Sequence, residues 1–169
     1  MPDMTIERAE PAYTANEREM LDGWLEYHRA TLLWKCEGMT PGQLRQRAVP
    51  PSPMSLLGLV RHMAEVERAW FRRCLAGEDA PGRYSSGDDP HGDFDNVDSA
   101  DPDEAFAYFH AECDFARKVA SAMALDDTGS RRGVTISLRW VLTHMIEEYA
   151  RHNGHADFLR ERIDGAAGR

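Results

Sequence analysis

The sequence predicts an all-α protein, an antiparallel four-helix bundle. A short extra helix should lie between the first and second long helices, and a long loop between the second and third. Three observations predict this. Four stretches carry apolar residues at helical spacings of three and four. Each stretch opens on a residue suited to capping a helix N-terminus. No segment alternates apolar and polar residues in a way that competes as a β-strand, and no internal repeat is present. With 169 residues the chain should form one domain, 1–169, with its core at about 16–163.

The first long helix is expected over 17–37. Asn16 with Glu19 three residues later makes a capping-box-like start. Met20, Leu21, Trp24, Leu25, His28, Leu32 and Cys36 recur at helical spacing, and Gly38 suits the C-terminal stop. Thr40 as cap and Pro41 at the first helical position then start a short helix that ends near Arg47. Pro50, Pro51 and Pro53 forbid helix and make a stiff link.

Ser55 should cap the second long helix, which reaches about Leu75. Its inner stripe is Leu56, Leu59, His62, Val66 and Trp70, while Glu65, Arg68, Arg72 and Arg73 provide polar surface. Residues 77–100 read as a loop rich in Gly, Asp, Ser and Pro. Such a loop is either a lid or binding loop or an acidic excursion without a role. Asp101, Pro102 and Glu104 mark the start of a third helix that carries Phe106, Phe109, Cys113, Ala116, Val119 and Met123 to about Ala124. After a turn over 126–133, Thr135 or Ser137 should open a fourth helix to about Ile163. Its inner stripe is Val141, Met145, Glu148, His152, His155 and Leu159.

Composition narrows the function. The net charge is −9, which argues against nucleic acid or anionic membrane as a partner. No apolar run approaches the roughly 20 residues of a membrane span. Residues 1–10 are polar and acidic without an apolar signal segment, so a cytoplasmic location is the default expectation. Cys36, Cys74 and Cys113 are widely spaced. They suggest neither a disulfide framework nor a thiolate zinc site, and buried free thiols are expected. Lys35 and Lys118 are the only lysines among 20 basic residues, a bias that points to a GC-rich bacterial genome.

The segment Glu148 to His155 carries the candidate chemistry. Glu148 and His152 stand four apart on one helix face, and His155 follows three later. A carboxylate and an imidazole at that spacing can both reach one divalent metal, and His62 could supply a third ligand from another helix. Three protein ligands with an open position is the arrangement of a catalytic metal site. Polar groups on otherwise apolar seams need compensation, and a metal supplies it. Other readings stand beside this one. His62 alone can be a hydrogen-bonded boundary residue, and Glu148 and His152 can pair with each other or with Arg61 or Arg151. His144 lies too far along the helix axis to share a metal with His152 and suits a supporting or structural role. His28, His91 and His110 read as structural or solvated. No phosphate loop, GxSxG elbow or HExxH pair is present.

Two stretches carry a family resemblance. Pro50-Pro51-Ser52-Pro53 followed by Leu56 to Glu67 (LLGLVRHMAEVE) resembles the second-helix signature of the DinB-like (DinB/YfiT-like) metal-binding four-helix bundles, in particular their mycothiol S-transferase branch. Trp140 to Asp157 (WVLTHMIEEYARHNGHAD) resembles that branch's last-helix motif, and 17–44 fits its first helix. The resemblance covers nearly the whole chain except the tails and the 77–100 loop.

It implies one divalent metal held by three ligands, usually zinc. The common pattern is a histidine on the second helix and two on the last, four apart. His62 and His152 match the outer positions. Glu148 takes the middle one, as in the His-Glu-His set of the mycothiol-dependent maleylpyruvate isomerases. The added oxygen donor admits Mn, Fe or Ni as rivals to Zn. His155 is left as an alternate ligand or a group behind the ligands. The implied reaction is transfer of a low-molecular-weight thiol, mycothiol on the genome bias, to an electrophilic small molecule. No residue can be assigned to the thiol site; Tyr149 or Arg151 could position substrate or be plain helix surface. Two competing readings remain: a metal-dependent hydrolase or isomerase on the same bundle, and a non-enzymatic, stress-related metal-binding protein. Helix faces of such a bundle can also pair into a homodimer.

Overall fold

The computed structural model describes residues 6–168. The chain is mostly helical, as a helical bundle requires, with one small sheet. Its elements in order are α1 (Glu17–Cys36), α2 (Pro41–Arg45), α3 (Leu56–Glu67), α4 (Gly92–Asp95), α5 (Pro102–Ser121), β1 (Thr128–Arg131), β2 (Val134–Ser137) and α6 (Leu138–Asp164). Among the described residues no helix is long and apolar enough to cross a membrane.

The helix starts follow local chemistry. The side chains of Asn16, Ser55 and Ser137 accept from the backbone N–H three residues on, which satisfies donors that the first turn leaves free. Thr40 and Gln43 form a reciprocal capping box ahead of Pro41. Asp101 caps α5 by accepting from the N–H of Asp103, with Pro102 in the first turn. Gly165, at φ 80°, closes α6 in the left-handed conformation.

Three features correct the sequence reading. First, two strands precede α6 where a turn and the start of a helix were expected. β1 and β2 pair antiparallel, with Arg131 opposite Val134. At four residues each they are too short for alternation to show. The two-residue loop has Arg132 at φ 52° and Gly133 at φ 80°, the signature of a type I′ turn. Arginine is an unusual occupant of its first position, so the turn carries no Asn-Gly mark in the sequence.

Second, the helix after Glu67 widens into π-helical turns over Arg68–Leu75. β1 lies directly on this widened stretch. A Cβ on Gly129 would overlap the Cys74 carbonyl and come within 2.7 Å of Leu75 Cα, so only glycine permits the approach.

Third, the buried seam of α6 is not the one expected. Val141, Met145 and Leu159 are buried, but Tyr149 and Asn153 complete the seam, and Glu148, His152 and His155 lie at its edge. Glu65, expected on the surface, is buried as well.

In the interior α1 packs mainly on α6, and α3 packs on α5 and α6. Within the apolar core lies one polar cluster. Glu67 is completely buried and receives two hydrogen bonds of 2.7 Å from Arg29 of α1 and one of 2.7 Å from the Tyr149 hydroxyl of α6. The Cys113 thiol of α5 stands 3.8 Å from the same carboxylate. One glutamate on α3 thus ties together all four long helices. Burying that carboxylate is tolerable because its oxygens are matched by charge and hydrogen bonds. Cys36, Cys74 and Cys113 are all free and buried, as expected. Burial pushes the Cys36 thiol up to about 12.

Candidate metal centre

α3 presents Gly58, Arg61, His62 and Glu65 on one face, at spacings of three and four. That face holds the 77–100 loop. Phe94 packs over Gly58. The Arg61 guanidinium donates to the carbonyls of Asn96 and Gly92 and lies over the Tyr84 ring. Glu65 accepts from the backbone N–H groups of Arg83 and Tyr84 at 2.7 and 3.0 Å. The polar residues that interrupt the apolar pattern of this helix therefore anchor a loop. Arg61 is engaged there rather than with Glu148 or His152.

The loop in turn delivers Asp93. This residue is buried, and its Oδ2 lies 2.8 Å from His62 Nδ1. Phe94 stacks on the other side of the imidazole, with ring centroids 4.9 Å apart. With Nδ1 engaged by a carboxylate and the ring plane held by stacking, His62 Nε2 is the free lone pair.

α6 supplies the facing groups. The rings of His62 and His152 meet edge to face at 4.7 Å. His152 Nε2 is 3.6 Å from Glu148 Oε2, one helical turn back. His152 Nδ1 is 3.3 Å from His155 Nδ1. His62, Glu148 and His152 can thus each offer one donor atom, with all three atoms within 4.8 Å of one another and all three side chains partly buried. Two ligands of one zinc ion, each at about 2.1 Å, stand at most about 4.2 Å apart, so a small side-chain adjustment would close the set.

His155 is outside this trio and sits behind His152. Nδ1 of each histidine in the trio meets a partner, Asp93 for His62 and His155 for His152. For His62 that is the usual arrangement of a metal-binding imidazole, in which a carboxylate at the far nitrogen fixes tautomer and orientation, while His155 supports the His152 ring. Burial, together with the nearby His62, His155 and Arg151, lowers the pKa of His152 to about 4, so its imidazole is neutral and its lone pair available at neutral pH.

The remaining candidates fall into place around this group. His144 Nε2 is 3.3 Å from Glu148 Oε1, so it stands behind the carboxylate, as its axial distance from His152 suggested. Its ring stacks on Trp140 and meets Trp70 edge to face, both at 4.8 Å. His144, Glu147 and Glu148 also lie within metal-binding reach of one another, but all three sit on one helix. Arg151 is exposed and paired with Glu147 at 2.6 Å. Tyr149 is wholly buried and bound to Glu67, so it is not helix surface. His28 meets Asn153 at 3.3 Å. His91 is exposed at the start of α4 and makes no capping hydrogen bond with its side chain. Asp93 and Phe94 are the residues that sequence reasoning missed. Their only mark was membership of an unusually long loop.

Comparison with known proteins adds one match. The family model described as mycothiol-S-transferase matches residues 20–165. No curated protein matches the chain.

Proposed function

The chain belongs to the mycothiol S-transferase family, and on that membership and the paired-histidine geometry we propose that it is a divalent-metal-dependent thiol S-transferase. The observation that carries the metal requirement is the double pairing at Nδ1: Asp93 behind His62 and His155 behind His152. Nothing in packing requires histidines of two different helices to bring a donor atom each within 4.8 Å of one carboxylate. The donor chemistry fits a divalent ion. Two neutral imidazoles and one carboxylate suit zinc, and they also suit Mn, Fe or Ni.

Such an ion would lower the pKa of a bound low-molecular-weight thiol and so provide a thiolate near neutral pH. The chain's own residues do the rest. Asp93 holds the His62 ring in one orientation, and Glu148 brings negative charge that compensates the ion. His144 holds the other oxygen of that carboxylate. The partial exposure of all three donor side chains leaves room for a thiol and an electrophile to approach. In the reaction the thiol gives up its proton and its sulfur bonds to the electrophilic carbon; the electron pair displaced there either departs with a leaving group or, in addition across a double bond, takes up a proton on the neighbouring atom. Mycothiol is the thiol that the family points to, and three buried free cysteines are compatible with a reducing cytoplasm.

The test is elemental analysis of protein purified without chelator, followed by assay of thiol consumption. About one divalent ion per chain is expected, retained in His91→Ala and lost in His62→Ala and His152→Ala. Equal metal content in all of these proteins would overturn the ligand assignment. Metal without thiol consumption, with water added to the substrate instead, would replace thiol transfer by hydrolysis.

A further inference from the structure

Arg73, Arg131 and Arg132 line one cleft of about 620 Å³ between the widened end of the α3 helix, the β-hairpin and the 77–100 loop. The chain carries 29 acidic residues against 20 basic ones. Most of its arginines are spent on carboxylates, carbonyls or both. Among the described residues these three have no ion pair, and no Asp or Glu lines the cleft. Ser85 and Ser86 stand on the opposite wall, adding hydroxyl donors and no negative charge.

The hairpin assembles this charge against local preference. Arg132 occupies a left-handed position, φ 52°, that glycine or asparagine would fill more easily. Its neighbour Arg131 is partly buried with its guanidinium 4.3 Å from the Trp70 ring centroid. Burial, and the Arg73 and Arg132 charges beside it, pull Arg131 below its ordinary range. Like charges held together, at a strained turn, with no Asp or Glu among the residues that line the cleft, mark a place where an anion arrives from outside.

Two structural links connect the cleft to the candidate metal centre. Trp70, on which Arg131 lies, meets the His144 ring, and His144 reaches Glu148. The loop that forms the cleft's far wall also carries Asp93 to His62. We propose that this cleft docks the anionic group, a carboxylate or a phosphate, of the electrophilic co-substrate. Guanidinium forks match either group bidentately, and the volume is that of a small-molecule site. The assignment rests on the thiol-transfer reading, but the docking step can be tested apart from it.

Two measurements test it. The first is titration of chelator-treated protein with inorganic phosphate and, separately, with maleate, followed by the fluorescence of Trp70, with Trp70→Phe as the control for the other tryptophans. Saturable binding of at least one anion is expected in the wild type and in His62→Ala, weakened about tenfold or more in Arg73→Ala/Arg132→Ala. The arm that saturates identifies the anion. Binding of neither anion, binding lost in His62→Ala, or binding indifferent to the arginines would overturn the proposal. Because the protein is metal-free, failure of the metal reading leaves this result intact.

The second measurement uses metal-loaded protein and two maleimides, one neutral and one bearing a carboxylate. In both, the thiol sulfur adds to the ring double bond and the proton ends on the neighbouring carbon. Arg73→Ala/Arg132→Ala should raise KM about tenfold for the carboxylated maleimide and leave the neutral one unchanged. Equal effects on both would place the arginines outside the substrate site. Arg73 and Arg132 are exposed, so the unfolding midpoint should stay at the wild-type value.

Discussion

Asp93 Oδ2 lies 2.8 Å from His62 Nδ1, and this contact joins the long loop to the first donor of the candidate metal centre. The aspartate is buried, and its other oxygen accepts from the N–H of Phe94 at 3.0 Å. Its position is therefore fixed from both ends, and the loop packs against the candidate donors rather than standing away from the bundle.

Removing that carboxylate should loosen metal binding without unfolding the chain. Groups behind a metal-bound imidazole are typically worth about 10- to 100-fold in affinity. Asp93→Ala is expected to fall in that range, measured by competition with a chelator of known zinc affinity. Asp93→Asn keeps an acceptor for the His62 N–H and should lose less. Wild-type affinity in Asp93→Ala would mean that the stacked Phe94 ring alone orients the histidine.

The trio of His62, Glu148 and His152 was legible in the sequence because each stood on or beside a helical stripe that is otherwise apolar, and helical spacing fixes which residues share a face. Asp93 was not legible, because loop residues have no periodicity to place them. The true seam of α6 was misread for a related reason. Tyr149 and Asn153 follow the same spacing one residue later, and periodicity cannot choose between adjacent stripes when both contain polar groups. Only the Glu67 carboxylate on α3, which Tyr149 reaches across the core, settles which stripe faces inward. The β-hairpin was hidden by its length and by an arginine at the turn position where glycine or asparagine would have announced it.

Acidification should destabilise the metal-free protein through His152. The folded-state pKa of this residue is lowered from 6.5 to about 4, chiefly by burial. Between those two values the unfolded chain binds more protons than the folded one, so stability is complete above the upper value and declines as pH falls toward the lower. Burial lowers the pKa of His28 in the same sense. After allowance for partial solvent screening, the His152 contribution is of the order of 1–2 kcal/mol. Urea midpoints at about pH 7 and pH 5 should differ in that direction in chelator-treated protein, and less so in His152→Gln. A midpoint that does not move over this interval would show that the ring is wet enough to titrate normally.

The Glu67 cluster should govern stability and leave metal binding alone, although Glu67 lies on the same helix as His62 and Tyr149 is next to Glu148. Tyr149→Phe removes one hydrogen bond to a carboxylate that keeps both bonds from Arg29, a loss of about 1.5–3 kcal/mol. Glu67→Ala leaves the Arg29 guanidinium buried with only the partly exposed Glu26 as partner, a loss of about 3–5 kcal/mol. Urea unfolding of the two variants and of their double mutant would measure both losses. The double mutant should lose less than the sum, because Tyr149 has little left to bind once the glutamate is gone. Metal content should match wild type in Tyr149→Phe, since its hydroxyl faces the core and the donor atoms face the loop. Loss of metal from Tyr149→Phe at unchanged stability would move Tyr149 out of the structural cluster and into the reaction site.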